Sequence, residues 1–400
     1  MNSPSPDITT LLKDVDAKGK SVTNSTSDDN PRKALLESAR SLVTALETPF
    51  EVVARMNWFD PPKWAMTRIG YDLNLFDKML ENNRSPKSCE ELGKLTGADP
   101  KLLSRMLKHL YCCGFVNETG SNEFAPNAIT AALATRICKG MTIDCYDLMN
   151  QVNAKLPEYL KNTKYQNPTD KDASIFQFAF DTKLHYFEWL SLPEHAAKIE
   201  TFNAHMDFKT LGKKWFQSTD VSAILNDPSP DPESVLMIDI GGNAGHDIVD
   251  FKKAFPEMKG RLVLQELPAV INSLTADFPK DIEAQEHDMF TPQPIHGAKA
   301  YYLHMVLHDW PDDSCRQVLA QLVPAMKNGY SKILLNEIVI KDKDADWFST
   351  SVDMLMMLCH SAYERTESDW RALCEGVGLR VSKIWDCEGN PEKVIEIELA

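Results

Sequence analysis

Val235-Leu236-Met237-Ile238-Asp239-Ile240-Gly241-Gly242-Asn243-Ala244-Gly245-His246-Asp247 is the stretch that decides the fold. Its first six residues, mostly apolar, read as a buried strand. The glycines after them read as a tight turn into a helix, the construction with which an open α/β sheet makes a nucleotide pocket. The spacing is not the dinucleotide fingerprint, because Ile240 stands where G-x-G-x-x-G needs its first glycine. Asp239 at the strand end would repel a pyrophosphate. It suits a ligand that carries an ammonium and a sulfonium, which is S-adenosylmethionine. Taken alone, the turn also fits any strand-to-helix connection packed with glycine.

Downstream segments repeat the pattern of an apolar run ending in polar residues. Arg261 to Gln265 reads as a second strand, and Glu266 at its tip is placed to grip a ribose diol, about 20 residues past the glycine turn. In His287-Asp288-Met289-Phe290, Asp288 and Met289 offer an acid and an apolar side chain for the edge and face of an adenine. Ala300 to Leu307 is strand-like and delivers His308-Asp309-Trp310-Pro311-Asp312-Asp313. Ile333 to Glu337 reads as a fifth strand. Arg380 to Trp385 and Val394 to Leu399 read as two more, joined at Glu388-Gly389-Asn390-Pro391. These residues by themselves imply an open α/β sheet.

Upstream, the chain changes character. Residues 1–30 are rich in Ser, Thr, Asp, Asn and Lys, and read as a disordered or loose arm. Helical periodicity starts near Pro31 and runs to Leu80, with a break expected at Asp60-Pro61-Pro62. Ser88 with Glu91 makes a capping box, and Asp99-Pro100 an N-cap followed by a first-turn proline. Phe115 to Glu118 and Glu123 to Ala125 flank a polar turn, so 31–135 reads as two short helices and a hairpin, a winged helix. Residues 136–230 read as a helical linker and substrate-pocket region with a dense aromatic set, and 231–400 as the sheet domain.

Lys and Arg total 43 against 58 acids, a formal charge of −15. Nucleic acid is therefore an unexpected partner, since phosphate binding needs a basic face. Nine cysteines without a C-x-x-C fit reduced thiols better than a disulfide framework. No apolar run reaches transmembrane length and the start is polar, so the cytosol is the expected compartment.

His308, at the mouth of the fourth strand, stands where such sheets place their ligands, and a neutral imidazole is a suitable general base for a phenol. The acids around it invite a metal reading. Helix capping by Asp309, a first-turn Pro311 and dipole pairing by Asp312 and Asp313 account for them without a metal.

The succession Asp-x-Gly-Gly-x-x-Gly, Glu-Leu-Pro-x-Val-Ile, Asp-Met-Phe, Leu-His-Asp-Trp-Pro-Asp, Asn-Glu and Glu-Arg-Thr-Glu resembles the S-adenosylmethionine-dependent O-methyltransferases of natural-product pathways. Motifs carry the resemblance over about 200–385, and helix spacing extends it back to about residue 35. It implies a Rossmann-like class I methyltransferase domain with a seven-stranded sheet behind an N-terminal winged-helix dimerisation domain, and hence a homodimer. It makes S-adenosylmethionine the cofactor, with Asp239, Gly241, Gly242, Glu266, Asp288, Met289, His304 and Trp310 around it. His308 becomes the base, with Glu337 and Glu364 bracketing its imidazole. Phe202 and Met206 match substrate-pocket positions, and Met356 lies on a methionine-bearing helix suited to a flat aromatic or polyketide- or alkaloid-like substrate. One departure stands out. His304 replaces the usual Lys or Arg, which makes the charge there pH-dependent. Two other readings stay open, a pericyclase that uses the same cofactor without transferring a methyl group, and a winged-helix regulator without enzymatic activity.

Overall fold

The structure, a computed structural model, describes residues 7–24, 30–225, 231–387 and 391–400. Its contacts divide the chain into two units, Met1–Tyr146 with Thr201–Met206, and Asp147–Glu200 with Asp207–Ala400. The stretch 136–230 is thus shared between the two.

In the first unit, Ile8–Asn24 is a helix that packs on the helix Asn30–Leu46, where a loose arm was expected. Leu11 is buried, and Lys18 reaches both Asp14 (2.8 Å) and Ser38 (2.7 Å). These tertiary contacts supply what a polar composition does not register. Of the polar tract Ser21 to Asn30, residues 25–29 lie outside the described residues.

The expected break at Asp60-Pro61-Pro62 is a helix start. A π-turn at Arg55–Phe59 leads directly into the helix Asp60–Asp72, whose first turn has no need of the missing proline N–H groups. The capping box at Cys89–Thr96 forms as read, with Glu91 N–H donating to Ser88 Oγ (3.2 Å) and Ser88 N–H to Glu91 Oε2 (2.7 Å). Helix Pro100–Cys112 buries Leu103, Met106, Leu107 and Leu110. Strands β1 (Lys87–Ser88), β2 (Val116–Gly120) and β3 (Glu123–Pro126) make the wing, in the order β1-β3-β2.

The second unit is built on β4 (Val235–Ile240), β5 (Arg261–Glu266), β6 (Ile282–Glu286), β7 (Ala300–His304), β8 (Lys332–Ile338), β9 (Leu379–Asp386) and β10 (Glu392–Leu399). Their order is β6-β5-β4-β7-β8-β10-β9, parallel except for β10. This is the seven-stranded sheet that the resemblance implies. One apolar cluster carries Ile238, Val263, Tyr301, Leu303 and Ile395, and a second carries Met237, Leu262, Tyr302, Leu334 and Val394. Strand residues alternate between them, which is why the strands read as continuous apolar runs. The chain winds one way from β4 to β5 and the other way to β7. The crevice beyond the carboxyl ends of β4 and β7 is therefore the switch point at which such sheets bind ligands.

Candidate active site

At the end of β4 the backbone turns sharply. Gly241 has φ +71° and donates its N–H to Gln265 O (2.9 Å). A Cβ on Gly242 would stand 2.5 Å from the Asp239 carboxylate, so the second glycine is what lets the chain fold over that acid. Asp239 is buried, and neither of its oxygens has a hydrogen-bond partner among the described residues. Burial and the nearby Asp247 push its pKa up to about 8. A buried carboxylate without donors fits a ligand that brings them, as the ammonium of S-adenosylmethionine does.

Glu266, at the tip of β5, accepts from Asn243 N–H (3.0 Å) and Leu267 N–H (2.8 Å), which fixes its rotamer beside the turn. Asp288 accepts from Phe290 N–H (3.0 Å) and is exposed, while Met289 packs on the sheet's core. Trp310 lies edge-on to Phe290, with ring centres 4.8 Å apart.

His304 differs from expectation. Nδ1 is hydrogen-bonded to Asp247, and Nε2 lies 2.9 Å from Glu392 Oε2, so both ring nitrogens are committed to the protein. Burial opposes its charge, but Asp247 and Glu392 outweigh burial and hold its pKa up to about 10. The position therefore keeps a positive charge through neutrality instead of a pH-dependent one. Lys214 adds a second cation, 2.8 Å from Asp247.

His308 follows a turn in which Met305 has φ +51°, a backbone state that bulky side chains rarely adopt. Glu337, fully buried at the end of β8, holds that turn by accepting the N–H groups of Val306 (3.1 Å) and Leu307 (2.9 Å) on Oε1. Burial pushes its pKa up to about 7. Glu364 Oε1 lies 2.7 Å from His308 Nδ1 and accepts its hydrogen, which leaves Nε2 as the nitrogen with the free lone pair. The two acids thus divide the bracketing role, Glu364 bonding the ring and Glu337 fixing the backbone and adding charge. Burial works against an imidazolium at His308, yet Asp309, Glu364 and Glu337 together raise its pKa to about 9.

Other neighbours were not legible as site residues. Arg365 is buried and donates to Leu307 O (3.1 Å), Trp310 O (2.8 Å) and Asp312 Oδ1 (2.8 Å), clamping the loop that carries His308. Asp309 does not cap the next helix. Pro311 occupies the cap without a side-chain bond, and Asp309 Oδ1 faces His308 Nε2 (3.6 Å) and His360 Nε2 (3.5 Å). Asp312 is taken by Arg365 and Tyr363, and Asp313 by Arg316, so these acids do not converge on one point with His308. Met356 is half-buried on the helix Trp347–His360. Phe202 and Met206 sit on the part of Ala196–Met206 that belongs to the first unit.

Comparison with known proteins shows the family to which the chain is similar. Residues 231–380 match the O-methyltransferase domain family. The chain is 35% identical to the methyltransferase cfoC of Aspergillus candidus, with 98% of both chains covered. It is 32% identical to the O-methyltransferase mpaG of Penicillium brevicompactum over 100% of each. The solved structure of LepI with SAM superposes with a TM-score of 0.88 at 30% identity, covering 98% of this chain and 100% of that one. A structure described as a pericyclic reaction enzyme does so with a TM-score of 0.88 at 29% identity, covering 98% and 99%. Matches along the full length to enzymes set aside the reading of the chain as a regulator.

Proposed function

The chain belongs to the O-methyltransferase family, uses S-adenosylmethionine, and from that premise we propose that it methylates a phenolic or enolic hydroxyl of a secondary metabolite with His308 as general base. One observation carries the reading. Glu364 holds Nδ1 of a buried imidazole so that Nε2 is the working nitrogen, at the carboxyl end of the strand next to β4.

When bound, the cofactor supplies an electrophilic methyl group on a sulfonium. Asp239 would hold its ammonium, Glu266 its ribose diol, and Asp288 with Met289 and Trp310 the edge and face of its adenine. A phenol with a pKa near about 10 is mostly protonated at neutral pH, so its proton has to be taken as the oxygen attacks. His308 accepts that proton at Nε2. Glu364 stabilises the resulting imidazolium through Nδ1–H, as the acid does in a nucleophile–base–acid relay. Glu337 keeps the loop in register and raises the basicity of His308.

Incubation with methyl-labelled cofactor and a panel of phenolic and enolic polyketides and alkaloids, read by mass, tests the proposal. A product heavier by one labelled methyl is expected. The likeness to a pericyclic reaction enzyme supports a second reading, and an isomerised or dehydrated product without label would favour it.

A further inference from the structure

Asp309 lies between two imidazoles. Its Oδ1 stands 3.6 Å from Nε2 of His308 and 3.5 Å from Nε2 of His360, closer to neither by more than 0.1 Å. The first of these nitrogens is the one that has to face an acceptor hydroxyl. A carboxylate there favours the N–H of an imidazolium and repels the lone pair of a neutral imidazole. Left unmet, the charge of Asp309 would hold His308 as the imidazolium, with no lone pair left to take the hydroxyl proton.

His360 is built to meet it. It is buried at the end of its helix, enclosed by Phe187 (ring centres 5.0 Å apart) and Tyr186 (5.2 Å). Its Nδ1 lies 3.4 Å from Nε2 of His185, whose ring is stacked on Trp310 at 4.7 Å and 8°. With the His185 hydrogen on Nε2 and donated to His360 Nδ1, the single hydrogen of a neutral His360 sits on Nε2 and points at Asp309. Burial, with His185 and His308 nearby, keeps the pKa of His360 well below the ordinary value, so it stays a neutral donor.

We propose that His360, aligned by His185, is a positioning residue that takes up the Asp309 carboxylate when an acceptor occupies Nε2 of His308, and thereby sets the basicity of His308. The proposal rests on the reading of His308 as the base. The groups that face each member are few. His308 is faced by Asp309, Glu364, Glu337 and His360. Asp309 is faced by His308, His360, Lys209 and Glu364, and His185 by Glu188, Lys171 and Asp172.

The test follows the ring signals of histidine-labelled full-length protein through a pH titration by NMR, with S-adenosylhomocysteine bound. The His308 signal is identified by its loss in His308→Gln. In His360→Phe the Asp309 charge falls on His308 alone, and the His308 midpoint is expected to rise by at least about half a pH unit. His360→Gln keeps a side-chain N–H and should stay with the parent. His185→Phe frees the His360 tautomer and should move the midpoint the same way by less, and it stands in if His360→Phe does not fold. Retained S-adenosylhomocysteine affinity certifies the fold of each variant. A His308 midpoint equal to the parent's in folded His360→Phe, or in His185→Phe where His360→Phe does not fold, overturns the proposal. The midpoint is read without turnover, so it is separate from a failure of His308 as base, which would show as full activity in His308→Gln.

Discussion

A side chain at Gly242 has nowhere to go, because its first carbon would stand 2.5 Å from the Asp239 carboxylate. Gly242→Val should therefore displace the acid and the turn together, and calorimetry should show loss of S-adenosylmethionine binding. Retained affinity would mean that the cofactor binds elsewhere. His308→Gln keeps a hydrogen-bonding group but removes the proton acceptor. Turnover should fall by about 10²–10⁴-fold with cofactor affinity unchanged. The sign of the pH dependence follows from the acids. The active form is the neutral imidazole, and its neighbours hold His308 near 9, so the rate should climb with pH towards that value rather than level off near 6.5. Glu364→Gln should move the midpoint of that rise downward. Asp239, Glu266, His308 and Glu337 were legible because each falls at the end of an apolar run, where the sheet itself says what faces the crevice. Asp309 was misread as a cap, and His185 and His360 had no local signal. Their contact spans 175 positions, a distance over which periodicity carries no information.

Among the elements of the second unit, β7 is tied to its neighbours by charge as well as by its ladder. His304 joins it to the helix His246–Ala254 through Asp247 and to β10 through Glu392. His304→Leu would leave two poorly hydrated carboxylates with one cation fewer. A loss of about 3–5 kcal/mol in denaturant unfolding at pH 7 is expected. The folded pKa of His304, about 10, lies above its ordinary 6.5. Its contribution is thus complete below pH 6.5 and fades as the pH rises through 10, an alkaline decline that the variant should lack. A stability curve of the same shape in parent and variant would count against this account. The sequence placed His304 at a strand end but could not say which side of the sheet its ring would take. The same limit explains the N-terminal helix, whose stability comes from Leu11 and the Lys18–Ser38 contact and not from its polar composition. At Pro61-Pro62 the prolines were taken as a stop, although the preceding π-turn makes them a start.

On the scale of the whole molecule, the first unit exposes Leu46, Phe50, Val53, Met56 and Trp58, with Phe50 70% and Trp58 72% accessible. An apolar group of this kind on a chain of net charge −15 suits a protein partner better than a polyanion. We expect a homodimer, with a two-chain mass by light scattering at micromolar concentration, and a shift to monomer when Phe50→Ser is combined with Trp58→Glu. A single-chain mass for the parent would refute this. The route of the chain has a consequence for modular exchange. Because Thr201–Met206 belongs with Met1–Tyr146, the polypeptide passes between units at three places, after residues 146, 200 and 206. A chimera spliced once ahead of the sheet, within the proline-rich tract at 227–232, would keep 201–206 with its N-terminal partner. A splice near residue 150 would instead set a foreign Ala204 against Gly140, where an added Cβ has only 2.6 Å, and a foreign His205 against Asp144. Recombination between relatives, in genomes or at the bench, is therefore expected to yield folded hybrids when the 201–206 segment travels with its N-terminal partner, and to fail when it stays behind.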